Sequence, residues 1–95
     1  MKLLTEYIFY NAWQETRLNL TAGDCFTVTQ ALGKLSCGDE VTYVGFEDVD
    51  NHYGIFVFKN QNNQALEIGG DFSTLSDQFI SEFNTALQKI YVTSM

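Results

Sequence analysis

The sequence predicts an α+β fold in which a small antiparallel sheet of three to four strands, at about 40–46, 53–59 and 64–69, is packed by an amphipathic helix over 75–90. Three observations carry that expectation. Leu75, Phe79, Phe83, Ala86, Leu87 and Ile90 recur at steps of three or four, the spacing of one helical face. Residues 41–46 and 53–58 are rich in branched and aromatic side chains and alternate as strands do. Between the second of these runs and Ala65-Leu66-Glu67-Ile68 lies Asn60-Gln61-Asn62-Asn63, turn-forming material that makes 53–68 read as a hairpin.

Taken in chain order, the first third gives mixed signals. Leu3, Leu4, Tyr7, Ile8, Asn11 and Ala12 fit a helical stripe, whereas Tyr7-Ile8-Phe9-Tyr10 has the composition of a strand; the stripe favours a helix over 3–13. Thr21 followed by Asp24 has the T-x-x-D look of a helix start, with Gly33 placed to stop a helix. The branched run Thr27-Val28-Thr29 pulls the same residues toward strand, so 24–32 remains open between the two.

In the first clear strand, Val41, Tyr43 and Gly45 alternate with Thr42, Val44 and Phe46. In the second, Tyr53, Ile55 and Val57 alternate with Gly54, Phe56 and Phe58, so both faces are apolar and the strand is expected to be covered on both sides. The final helix has Thr74 and Asp77 in the spacing of a capping box, with Asp77 at the positive end of the helix dipole. One further pattern, Leu35-Ser36-Cys37-Gly38-Asp39-Glu40-Val41, has the L-x-x-G-D-x-V form that opens many small SH3-like barrels. It makes a small barrel with a C-terminal helix the alternative architecture.

With 95 residues, the chain reads as one domain over 1–95, since a second core would have too little left to bury. Twelve Asp and Glu against five Lys and Arg give a formal net charge of -7, which argues against direct contact with nucleic-acid phosphates or anionic lipid. Met1-Lys2-Leu3-Leu4-Thr5-Glu6 meets an acid too soon for a secretion signal, and no apolar run approaches a membrane span, so a cytoplasmic protein is expected. Cys25 and Cys37 have no C-x-x-C spacing and read as free, at least partly buried thiols.

No catalytic motif is present in the sequence. His52 is the sole imidazole, no Ser or Cys stands in a nucleophile elbow, and Gly69-Gly70 precedes Asp71, which would repel a phosphate. The expected protein is therefore not an enzyme, and no cofactor is implied. Asp48, Asp50 and His52 alternate as at the start of a calcium loop, but Tyr53 and Lys59 occupy the positions that need Gly and Glu, so no metal site follows.

Two surfaces remain as partner-binding candidates. Five of the twelve acids, Asp39, Glu40, Glu47, Asp48 and Asp50, fall within residues 39–50 with His52 close by, and such a field speeds approach to a basic surface. The expectation is a small acidic inhibitor or regulator that engages a basic protein, such as one of a nucleic-acid-handling complex, its acids standing where phosphates stand. Phage anti-defence proteins, immunity proteins and nucleic-acid mimics offer an analogy in size and charge, not a likeness in sequence. The alternative is an adaptor or assembly module that binds a partner or a second copy through the aromatic stretch from Tyr7 to Trp13, with Tyr10 and Trp13 as anchors.

Overall fold

The computed structural model describes residues 4–49, 53–72 and 74–90. It contains a five-stranded antiparallel sheet, β1 (Cys25–Val28), β2 (Glu40–Asp48), β3 (Tyr53–Lys59), β4 (Ala65–Asp71) and β5 (Leu87–Ile90), in the order β4-β3-β2-β1-β5. Two α-helices accompany it, α1 (Trp13–Arg17) and α2 (Asp77–Ala86), with a 3₁₀ turn over Leu4–Glu6. The fold is α+β, as the sequence predicts.

The first four strands form a meander, and α2 then carries the chain back to place β5 beside β1. The sheet is open. β4 and β5 lie at opposite edges with no ladder joining them among the described residues, so the barrel alternative does not hold. The L-x-x-G-D-x-V segment nonetheless leads into a strand: Gly38, at φ +95°, turns the chain into β2, and Leu35 is buried beneath it.

Strand β2 carries the main irregularity. Tyr43 is opposite Phe58 and Gly45 is opposite Val57, so Val44 is an extra residue and the pairing shifts by one. That shift reverses the alternation of faces. Tyr43 and Phe46, three apart in sequence, both enter the core, where the Tyr43–Phe58 and Phe46–Phe56 ring centroids are 5.2 and 4.9 Å apart. Simple alternation would have turned Gly45 toward the core and Phe46 away from it.

Around these rings the core is largely aromatic. Phe56 meets Phe72 at 4.7 Å and Phe83 of α2 at 6.0 Å, and Phe58 stands edge-on to Phe26 at 6.1 Å. Space is tight at Gly54, where an added Cβ would lie 2.2 Å from Phe46 Cζ.

Three expectations need correction. The predicted helix over 75–90 ends at Ala86, because residues 87–90 pair with the free edge of β1, Leu87 opposite Val28 and Ile90 opposite Cys25. Its N-cap is Ser76, whose hydroxyl accepts the Phe79 N–H, and not Thr74; Asp77 stands in the first turn as expected. The helix expected over 3–13 is a 3₁₀ turn, an extended arm over 7–12 and the five-residue α1. The open segment 24–32 resolves to strand β1, and the Thr21–Asp24 signal closes a turn in which Asp24 accepts the Thr21 N–H.

The Gly54 contact yields a prediction. Gly54→Ala lowers stability by about 1–3 kcal/mol through overpacking against Phe46, whereas Gly70→Ala, with its nearest neighbour at 3.4 Å, changes it by less than about 1 kcal/mol. Urea denaturation of both variants checks the difference.

Candidate functional interface

The N-terminal arm lies across the part of β2 that β1 leaves unpaired. Strand β1 pairs with β2 over 40–42, and Gly23 and Asp24 then bond both backbone groups of Tyr43. Farther along, the Tyr10 N–H donates to the Phe46 carbonyl at 2.9 Å, the arm's single backbone bridge to the sheet among the described residues.

Alternate arm residues then do different work, as period-two geometry requires. Tyr7 and Phe9 stack on each other at 5.9 Å. The Phe9 ring fills the space above Gly45, where an added Cβ would come within 2.6 Å of it. Phe9, itself 38% exposed, thus covers Gly45 on the face opposite the aromatic core, and Val57, paired with Gly45, is wholly buried.

Three glutamates hold the arm in place. Glu47 accepts the Ile8 N–H at 2.9 Å, and Glu67 accepts the Tyr7 hydroxyl. Glu15 of α1 accepts the Ala12 N–H at 3.1 Å with Oε1 and the buried Tyr43 hydroxyl at 2.7 Å with Oε2. A carboxylate accepting an N–H or O–H in a half-buried site makes one of the stronger hydrogen bonds a protein has.

The intervening side chains are left outside. Ile8 is 64%, Tyr10 52% and Trp13 53% exposed, large values for residues of this type. An open cleft of about 550 Å³ lies beside Trp13, lined by Asn11, Glu15, Thr16, Leu20 and Thr21 among others.

The acids expected to form one patch are separated. Asp39 and Glu40 are exposed at the start of β2, beside the Asn60–Asn62 turn, where Gln61 Nε2 reaches Glu40 at 3.4 Å. Asp48 is exposed at the other end of the strand, eight residues and roughly 26 Å from Glu40 at a strand's rise. Glu47 is 9% exposed and committed to the arm. Asp50 and His52 lie outside the described residues. Of the candidate partner-binding residues, Tyr10 and Trp13 are exposed within one stretch of four residues, and Asp39 and Glu40 are set apart from Asp48.

Ile8 is exposed with Tyr10 and Trp13, whereas the helical stripe turns it inward. The strand-like composition of Tyr7-Ile8-Phe9-Tyr10 is the signal in the sequence that points to its exposure. Both thiols are free; Cys25 is half-buried, and Cys37, expected to be partly buried, is exposed because it sits in the surface turn before β2. Among the described residues no group of three His, Cys, Asp or Glu side chains is placed to hold a metal, and no helix is long and apolar enough to cross a membrane. Comparison with known protein families, curated proteins and solved structures returns no match.

Burial pushes the Tyr43 hydroxyl well above its ordinary value of 10.0, and the bond to Glu15 and that carboxylate's charge push it the same way. The folded chain then keeps its proton where the unfolded chain loses it. Stability is thus full below pH 10 and falls as pH rises above it, by up to about 1.4 kcal/mol per pH unit from this group. Urea denaturation between pH 8 and 11 should show a shallower fall for Tyr43→Phe than for the parent.

Proposed function

We propose that this protein is a non-enzymatic binding protein that regulates or inhibits a basic protein partner in the cytoplasm, with the arm and the start of α1 as its contact surface. The observation that carries the reading is the exposure of Ile8, Tyr10 and Trp13 within six residues of a segment that the fold itself ties down. Tyr and Trp bury a large area at small rotamer cost, and a fixed backbone reduces the cost of binding further.

Charge supports the choice of partner. Glu6 and Asp48 are exposed near the arm, and the chain as a whole carries -7. Aromatic anchors with acids at the rim suit a surface of Lys and Arg interleaved with apolar groups, and the acids chiefly raise the rate of encounter. A pure nucleic-acid mimic would need its acids in one array, and the distance between Glu40 and Asp48 favours the aromatic surface over that version.

The test is capture of partners from host lysate, followed by affinity measurement with the purified partner. Trp13→Ala and Tyr10→Ala should each weaken binding by about 2 kcal/mol, roughly 30-fold, while circular dichroism and melting temperature stay near those of the parent. Glu6→Lys with Asp48→Lys should lower the association rate and flatten its salt dependence. Folded Trp13 and Tyr10 variants with undiminished affinity would remove the reading.

A further inference from the structure

The arm also has a free backbone edge. In an extended segment successive N–H groups point to opposite sides, and those of Ile8 and Tyr10 are turned to β2, onto Glu47 and the Phe46 carbonyl. The N–H groups of Phe9 and Asn11 therefore face outward, and neither donates to any group among the described residues. An edge of this kind is a template for another strand. Natural edges are usually blunted by a Pro, a Lys or a covering loop. Here the chain has no Pro at all, the residues from 7 to 13 include no Lys, and the edge is flanked by exposed Ile8, Tyr10 and Trp13.

We propose that this edge takes up an extended peptide segment of the partner, alternating basic and apolar residues, as an added strand. The inference rests on the binding surface proposed above and specifies how that surface is used. Main-chain bonds to Phe9 and Asn11 set the register, the partner's apolar side chains lie against Ile8 and Tyr10, and its basic ones, on the opposite face, are favoured by the chain's charge of -7. A second copy of this chain is the poorer occupant, because each copy brings a charge of -7. Two outward donors form a short ladder, so much of the affinity has to come from Tyr10 and Trp13.

The experiment is a titration of the full chain, ¹⁵N-labelled, with the blocked hexapeptide Lys-Val-Lys-Val-Lys-Val, read by amide chemical shifts. Two forms of the peptide are compared with it, one N-methylated on its valines and one on its lysines, together with a version in which Glu replaces Lys. The largest shifts should fall on the Phe9 and Asn11 amides, the Glu version should bind at least about tenfold more weakly, and one N-methylated form should lose about tenfold while the other loses much less. Shifts centred elsewhere, such as on β5, or equal binding by all three lysine-containing peptides would overturn strand addition, as would the absence of any shift at the arm. In each of those cases a partner whose capture still depends on Trp13 leaves the binding surface standing and removes only the proposed mode; loss of that dependence as well removes both.

Discussion

A segment of six residues with one backbone bridge to the sheet among the described residues holds its place through glutamate side chains, and much else in the structure depends on that anchorage. Glu47 and Glu67 accept hydrogen bonds from Ile8 and Tyr7, and Glu15 joins Ala12 to the Tyr43 hydroxyl of β2. Hydrogen bonds to charged groups contribute on the order of 1.5–3 kcal/mol each, and together with the burial of Tyr7 they offset the arm's conformational entropy. Once fixed, the arm covers Gly45 with Phe9, on which Tyr7 stacks, and in the same act turns Ile8 and Tyr10 outward. Burial of one face of the sheet and exposure of the candidate interface have a common cause.

The acidity of the chain also reads differently in that light. Three of its twelve acids are occupied in holding the arm, Asp24 pairs with Lys89 of β5 at 3.1 Å, and Glu40 faces the Asn60–Asn62 turn. Charge that looks like a single surface feature in the sequence is divided among structural duties and two ends of a strand. Acids at the two ends of one strand bias the choice of partner toward basic surfaces but are too far apart to imitate a phosphate chain.

Much of the fold was legible because its strands and helix are long enough to show their period. The faces of β3 follow directly from Gly54, Phe56 and Phe58 against Tyr53, Ile55 and Val57, and the asparagine-rich turn after it bonds through Asn60 Oδ1 as such turns do. Three features were hidden for identifiable reasons. Val44 carries no mark of a bulge, since only the pairing with β3 makes it an extra residue. Leu87-Gln88-Lys89-Ile90 continues the helical stripe in sequence, and the unpaired edge of β1, a tertiary demand, draws it into a strand. The arm was misread because Leu4, Tyr7, Ile8 and Ala12 satisfy a helical spacing by chance while the glutamates that hold it extended come from distant positions, 47 and 67 among them.

Amide hydrogen exchange along the arm of the free protein is the most direct measurement of this arrangement. Ile8 and Tyr10 should be protected, because their N–H groups donate to Glu47 and to the Phe46 carbonyl, and Phe9 and Asn11 between and beside them should exchange near the rate of an open chain. Uniformly fast exchange from 8 to 11 would show that the glutamates do not seat the arm, and protection of Phe9 and Asn11 in place of Ile8 and Tyr10 would show the opposite register, with a different set of side chains on the outer surface.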